Sequence, residues 1–221
     1  MSNLIKRSAI TLFFIVMATV MSVASAGSSD QPPQEMVKTV TDDVLAALRE
    51  TRDNDADKAK EVSKKVVDLI LPHLDFVAMS KLVLAKYWRQ ASPDQRQAFI
   101  EQFRDLLVRT YETSLLKYRD EQIKYLPFHK SEEPDKKATV RAEVVRSNGP
   151  SIPINYKLRF KPEDGWKVYD IGIEGVSLVT NYRSSFSREI SQYGIDYLID
   201  SLKQKNSNAA AEIEKDEQGS D

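Results

Sequence analysis

The side chains that could do acid–base or metal chemistry are few and widely spaced in this chain. Its 221 residues include two histidines, His73 and His129, and no cysteine. His73 stands near Asp75, and His129 precedes Glu132 and Glu133. Neither histidine has a partner one helical turn away, and a metal site needs three or four convergent ligands. We therefore predict a histidine at a helix end and one at a strand end, with no metal site.

Three carboxylates in the last third of the chain, Asp170, Glu174 and Asp196, could in principle transfer protons. Their spacing does not separate them from capping or surface residues. The chain has no G-x-S-x-G, P-loop or G-x-G-x-x-G pattern. The glycines at Gly172 and Gly175 are too close for a phosphate loop and predict a bend at a strand end. The sequence predicts no catalytic residue and favours a protein that is not an enzyme.

The N-terminus has the three parts of a Sec-type signal peptide. Lys6 and Arg7 precede an apolar run over residues 9–20, and Ala24-Ser25-Ala26 offers small residues to a signal peptidase. The run is shorter than the ~20 residues that a membrane span needs, which disfavours a permanent anchor. We predict that residues 1–26 are removed by cleavage near Ala26 and that the protein is exported.

Charge and composition divide the rest of the chain. Without residues 1–26 it carries 30 Lys and Arg against 33 Asp and Glu, which is too acidic a balance for a nucleic-acid binder. Residues 27–34 read as a loose lead-in, and residues 35–203 as one domain. Residues 204–221 are polar and low in complexity, so they predict a disordered tail.

Helical periodicity precedes strand periodicity along the domain. Apolar residues recur at helical spacing over residues 36–48, 62–71, 76–88, 92–119 and 178–202. Ser92-Pro93-Asp94-Gln95 combines an N-cap, a proline at the first helical position and a capping-box glutamine. The helix that follows would be on the order of 40 Å long, and its single apolar stripe requires an equally long apolar partner.

Alternation with a period of two predicts four strands, over residues 122–128, 138–145, 152–161 and 166–173. Asn148-Gly149 and the stretch from Pro162 to Gly165 are turn signals between them. Helices, then an antiparallel meander, then a helix indicate an α+β fold with helices packed on a four-stranded sheet.

Several motifs resemble one family. They are Pro72-His73-Leu74-Asp75-Phe76, Lys86-Tyr87-Trp88, Ala91-Ser92-Pro93-Asp94-Gln95-Arg96, Leu106-Leu107-Val108-Arg109-Thr110-Tyr111, Gly165-Trp166-Lys167-Val168-Tyr169-Asp170, Ile173-Glu174-Gly175-Val176-Ser177-Leu178 and Asn181-Tyr182-Arg183-Ser184-Ser185-Phe186. In this order, behind a signal peptide, they resemble the MlaC family of toluene-tolerance or phospholipid-binding periplasmic proteins, over roughly residues 35–203.

The resemblance implies a fold and a function. The fold would be a twisted antiparallel sheet of the nuclear-transport-factor-like cone type, cupped by helices around a deep apolar pocket. The protein would be periplasmic and carry phospholipid between an outer-membrane lipoprotein–porin complex and an inner-membrane ABC transporter, maintaining outer-membrane lipid asymmetry. Phospholipid would be its cargo, with no cofactor, no nucleic-acid partner and a monomeric state.

Within that fold, the apolar alternation predicts which residues line the pocket around the acyl chains. They are Phe76, Met79, Val83, Phe99, Phe103, Leu106, Leu107 and Tyr111 from the helices, Ile154, Tyr156, Leu158, Ile171 and Ile173 from the sheet, and Val176 and Leu178 near the bend.

Two other functions remain compatible with the residues. One is a periplasmic chaperone or interaction module that binds peptides. The other is an isomerase-type enzyme on the same cone fold, which would need a histidine or aspartate pair deep in the pocket.

Overall fold

The structure, a computed structural model, describes residues 31–50, 56–115, 121–128, 136–146 and 149–218. The predicted signal peptide, His129, Glu132, Glu133 and Asn148 lie outside these residues. Within the described ranges, no helix is both long enough and apolar enough to span a bilayer.

Seven α-helices and five strands make up the described chain. The helices are α1 (Pro33–Arg49), α2 (Ala56–Ile70), α3 (Phe76–Leu84), α4 (Lys86–Gln90), α5 (Pro93–Leu115), α6 (Leu178–Tyr193) and α7 (Ile195–Gln218), with a 3-10 turn at Leu71–His73. The strands are β1 (Gln122–Tyr125), β2 (Lys137–Val145), β3 (Ile152–Lys161), β4 (Gly165–Ile173) and β5 (Val176–Ser177). The predicted α+β class is confirmed; the predicted strand count was one too low.

The capping box at the start of α5 forms as predicted. The Ser92 N–H donates to Oε1 of Gln95 at 2.9 Å, and the Gln95 N–H donates to Oγ of Ser92 at 3.1 Å. The same Gln95 donates from Nε2 to Oδ1 of Asp196 at 2.6 Å, which ties the start of α5 to the start of α7. Local sequence thus sets this helix start, and the same glutamine also makes a contact with a distant helix.

Two stretches predicted as continuous helices are broken. Ala85 has a φ of 49° and separates α3 from α4, a conformation that is unfavourable for a residue with a Cβ. Gly194 has a φ of 88° and separates α6 from α7. The glycine was a visible signal for a helix end, whereas nothing about an alanine marks the first break.

The tail predicted to be disordered from residue 204 is instead helical as far as Gln218, as part of α7. Asn206 is only 6% exposed, and its Nδ2 donates to the main-chain oxygen and to Oε1 of Gln102 on α5, both at 3.0 Å. The prediction was wrong because composition does not report a buried polar side chain whose partners lie a hundred residues away.

The five strands form an antiparallel meander in the order β1-β2-β3-β4-β5. Even-numbered residues of β2 and β3 share one face, here called the inner face, and odd-numbered residues share the outer face. Along β2 the inner residues are buried and most outer residues are exposed. Met36 and Val37 of α1 pack on the inner face against Val140 and Leu158, so this helix covers one end of it.

Two buried aspartates attach helices to the sheet. Asp75 caps α3, since its Oδ1 accepts from the Ala78 N–H at 2.9 Å. Its Oδ2 lies 3.1 Å from Nε of Arg159 and 3.2 Å from Nζ of Lys161, without a well-directed hydrogen bond, so the attraction is Coulombic. The Asp75 N–H also donates to the Val168 oxygen at 2.8 Å, which fixes the start of α3 to β4.

Asp170 does the same for α6. Its carboxylate accepts from Oγ of Ser177 at 2.8 and 2.9 Å, from the Val179 N–H at 3.2 Å and from Nζ of Lys157 at 3.0 Å. Ser177 in turn caps α6 by accepting from the Thr180 N–H. A buried charge is costly unless it is paired. Moving either helix away from the sheet would break these pairings, so both carboxylates hold their helices in one position.

Replacing Asp75 tests this attachment. Asp75→Asn retains a capping oxygen but removes the charge that faces Arg159 and Lys161, and we expect a loss of about 1–3 kcal/mol in the free energy of unfolding. Asp75→Ala also removes the cap and should cost about 1 kcal/mol more. Urea denaturation measures both. Wild-type stability in the two variants would contradict the attachment.

Candidate functional site

The helices enclose a closed aromatic cluster, here called the helical cluster. Phe99 and Phe103 of α5 are fully buried and stacked, with ring centroids 5.6 Å apart. Phe186 of α6 meets both rings edge-on at 5.9 and 6.1 Å, and Tyr182 meets Phe103 at 5.3 Å. Edge-to-face and offset contacts of this kind stabilise an aromatic core, so the rings fill this space.

Eight of the predicted lining residues belong to the helical cluster. They are Phe76, Met79, Val83, Phe99, Phe103, Leu106, Leu107 and Tyr111. The cluster also includes residues of α6 and α7 that the prediction left out, among them Val179, Ile190, Leu198 and Leu202. Their helical spacing was visible in the sequence, but the helix pairs that bury them were not.

A second cluster lies between α1 and the inner face of the sheet, and is here called the sheet cluster. It includes three predicted lining residues, Tyr156, Leu158 and Ile171. Burial raises the pKa of Tyr156, with neighbouring Tyr125 acting in the same direction and a hydrogen bond with Thr41 opposing it. These three hydroxyl groups form a small polar group inside an otherwise apolar layer.

The other end of the inner face is apolar but incompletely covered. Ile154 pairs with Ile173 and Tyr156 with Ile171, so these four side chains lie on one face. Ile154 is only partly buried, Ile173 is 38% exposed, and Val176, paired with Ile173 in β5, is 61% exposed. An apolar surface that the chain leaves open in this way typically meets a ligand or a partner.

The two clusters meet along β4 and the start of α3. Val168 packs in the sheet cluster, while its neighbour Tyr169 packs in the helical cluster. Likewise, Leu74 packs in the sheet cluster and Phe76 in the helical cluster. Leu178, the first residue of α6, is partly buried and belongs to neither cluster. The structure thus places eleven of the fifteen predicted lining residues in the two clusters. The contact of the predicted residues with lipid stays a prediction.

Two surface cavities lie largely outside the predicted lining. One of about 380 Å³ lies between α5, α6 and α7 and is bordered by Leu106 of the predicted set together with Asn181, Ser184, Arg188 and Lys205. The other, of about 430 Å³, lies between α3 and the sheet and is lined by none of the predicted residues. Its lining is Ala78, Lys81, Leu82, Lys136, Lys137, Arg159, Phe160 and Tyr169.

The titratable side chains singled out in the sequence either make structural contacts or lie in turns. Asp170 anchors α6, and Asp196 accepts from Gln95. Glu174 lies in the turn between β4 and β5 with a φ of 51°. His73 ends the 3-10 turn, where burial lowers its pKa, Lys167 lowers it further and Asp43 opposes both. In the described ranges, no three His, Cys, Asp or Glu side chains converge as a metal site would require.

Sequence reasoning missed Asp75 as a structural residue, although Asp75 followed by helical periodicity was a readable N-cap signal. It also missed the cations around the larger cavity. Lys81, Lys137 and Arg159 come from three separate elements, so no local pattern could join them.

Comparison with known proteins identifies the family. Residues 38–204 match the family described as MlaC protein, which is most of the chain. The chain is a member of the MlaC family. The resemblance seen in the sequence motifs is therefore confirmed.

Two curated members of this family and one solved structure are similar to the chain. The toluene tolerance protein ttg2D of Pseudomonas putida is 26% identical over 192 residues, covering 86% of each chain. The intermembrane phospholipid transport system binding protein MlaC of Haemophilus influenzae is 27% identical over 140 residues, covering 62% of this chain and 65% of that protein. A phospholipid-binding protein from Ralstonia solanacearum, solved in complex with a phospholipid, is 32% identical with a TM-score of 0.70, covering 81% of this chain and 99% of that one.

The tyrosine pair in the helical cluster gives a pH-dependent prediction. Burial, and then Tyr182, raise the pKa of Tyr111 to about 12. A raised pKa means that folding favours the neutral phenol, so this contribution is present below the ordinary pKa of about 10 and is lost as pH rises towards about 12. We expect the free energy of unfolding of Tyr111→Phe to fall less between pH values of about 9 and 11 than that of wild type. Urea denaturation at both pH values measures this fall. Tyr193→Phe, at an exposed tyrosine, is the control and should behave like wild type. An equal fall in the free energy of unfolding for wild type and both variants would contradict the prediction.

Proposed function

We propose that this chain is a periplasmic phospholipid carrier that shields acyl chains from water. The observation that carries the proposal is the similarity to nearly the full length of the Ralstonia solanacearum protein, whose structure holds a phospholipid. The name of the Haemophilus influenzae relative supports a transport role. The predicted signal peptide supports the periplasm as the compartment.

The energetic need for a carrier is large. Exposing an acyl chain to water costs ~0.8 kcal/mol per methylene, so a 16-carbon chain costs on the order of 12 kcal/mol and two chains about twice that. A carrier therefore has to supply apolar surface of comparable length. It need not bury the headgroup, so we propose weak discrimination between headgroups at this site.

We place the acyl chains against the uncovered end of the inner face. Ile154 and Ile173 already present apolar surface there, and Val176 is paired with Ile173 beside them. The aromatic rings of the helical cluster are packed together, so a second chain would need the helical and sheet layers to separate along β4. Such a separation works against the attachment of α3 and α6 to the sheet by Asp75 and Asp170.

The route follows from the partners that the resemblance implies. We propose that the chain exchanges phospholipid with an outer-membrane lipoprotein–porin complex and an inner-membrane ABC transporter, and so maintains outer-membrane lipid asymmetry. The chain has no nucleotide-binding motif. Direction would come from different lipid affinities at the two membranes or from the ATPase of the transporter, and the chain itself would catalyse no reaction.

Mass spectrometry of the purified protein tests the function directly. We expect phospholipid to co-purify and to be released by organic extraction. Recovery of bound peptide would instead support the chaperone alternative, and a protein that neither carries phospholipid nor takes it up from vesicles would contradict the proposal.

A charge on the uncovered inner face should weaken lipid binding. Because burying an isoleucine contributes about 1.5–3 kcal/mol, we expect Ile173→Asp to lower lipid occupancy by roughly tenfold or more. Ile173 is already 38% exposed, so the folded state should tolerate the change better than Leu107→Arg inside the helical cluster.

Val145→Asp is the matched control. Val145 is 37% exposed and lies on the outer face of β2, so its substitution introduces the same charge on the opposite side of the sheet. Bound lipid is quantified after extraction from both folded variants. An equal loss in the two variants, or no loss in Ile173→Asp, would contradict our placement of the acyl chains.

A further inference from the structure

The larger cavity has a lining with two distinct chemical parts. Four of its eight lining residues are cations, Lys81, Lys136, Lys137 and Arg159, and all four are exposed. The other four, Ala78, Leu82, Phe160 and Tyr169, are apolar or aromatic. None of these eight described residues is acidic, so the cavity presents positive charge above an apolar floor.

Three separate elements bring the cations together. Lys137 and Arg159 are directly paired on the outer face of β2 and β3. Lys81 reaches the cavity from α3, and Lys136 precedes β2, where its main-chain oxygen accepts from the Phe160 N–H at 2.8 Å. Their positions are fixed by the sheet and by the docking of α3, so the charge cluster is a built feature of the fold.

The buried Asp75 does not cancel this charge. Its side chain is 1% exposed, and its Oδ2 lies 3.1 Å from Nε of Arg159 on the buried side of the cavity lining. The Arg159 side chain is nevertheless 44% exposed. The lysines on both sides still face solvent, in a chain whose formal net charge is -1.

Exposed apolar side chains lie next to these cations on α3. Val77 is 49% exposed and Leu82 is 36% exposed, on either side of Lys81. Lysine and arginine beside exposed aliphatic side chains are the combination by which a surface binds at the interface of an anionic bilayer. The cations attract lipid phosphates, and the aliphatic groups enter the region between headgroups and acyl chains.

We infer that the cationic surface formed by Lys81, Lys136, Lys137 and Arg159, with Val77 and Leu82, docks the protein on anionic phospholipid bilayers. The occupant is the bilayer surface, whose phosphate headgroups enter the cavity between α3 and the sheet. The surface is on the opposite side of the sheet from Ile154 and Ile173, so it is separate from the site proposed for the acyl chains. It would bring the carrier to a membrane that it exchanges lipid with.

Vesicle sedimentation tests the docking surface. The full chain is incubated with vesicles of phosphatidylcholine alone or of phosphatidylcholine mixed equally with phosphatidylglycerol. We expect binding to the mixed vesicles at about 0.05 M NaCl and its loss at about 0.5 M, because screening shortens the reach of surface charges. The absence of any preference for the anionic vesicles would overturn the inference.

Two double variants identify the residues responsible. Lys81→Gln with Lys136→Gln removes two cations of the surface but leaves the Arg159–Asp75 pair intact. Near a strongly anionic bilayer each cation changes partitioning by about fivefold, so we expect a loss of about 25-fold. The control, Lys64→Gln with Lys203→Gln, removes two exposed lysines from α2 and α7 and should leave binding unchanged. Equal losses in both double variants would overturn the assignment.

Two further measurements separate the alternatives. Excess glycerol phosphate should not displace the protein from the vesicles, and displacement would mean that the cavity binds free phosphate rather than a bilayer. Co-purified phospholipid is measured in the same variants. Unchanged lipid content with lost vesicle binding is the expected result, whereas a protein that docks on vesicles but never carries lipid would contradict the proposed function alone.

Discussion

The attachment of two helices to the sheet by the buried carboxylates Asp75 and Asp170 is the interaction on which the architecture depends. Asp75 caps α3, Asp170 accepts from Ser177 and Val179 at the start of α6, and each pairs with a cation of β3, Arg159 or Lys157. Because a buried charge tolerates no loss of its partners, the starts of α3 and α6 are fixed relative to β3 and β4. The helical cluster, the boundary along β4 and the cationic cavity all take their positions from these two contacts.

The two faces of the sheet differ in the residues that they present. The inner face is apolar, and α1 covers only the end around Val140 and Leu158. The outer face of β2 and β3 is rich in Lys and Arg. Such a sheet has an uncovered aliphatic surface on one side and a positive surface on the other. The first is where we propose that acyl chains bind, and the second is where we propose that an anionic bilayer docks.

The helical cluster limits how hydrocarbon can enter the protein. Phe99, Phe103 and Phe186 pack against one another, with ring centroids 5.6 to 6.1 Å apart. Close-packed interiors respond to added volume by moving whole elements rather than by compression. The boundary between the two clusters, where Val168 and Tyr169 belong to different layers, is held closed by the contacts of Asp75 and Asp170. Function in this fold would therefore depend on how firmly the layers adhere as well as on which residues line them.

The sequence alone determined the α+β class, the order of the elements, the capping box at Ser92 and the first four strands, because periodicity and capping are local and each depends on a few neighbouring residues. It also sufficed to recognise the MlaC family from ordered motifs. Only the tertiary structure decided that α7 continues past residue 204, that eleven of the fifteen predicted lining residues divide between two clusters, and that Lys81, Lys137 and Arg159 converge. Those outcomes depend on contacts between residues far apart in the chain, such as Asn206 with Gln102, and no spacing along one segment encodes which distant surface it will meet.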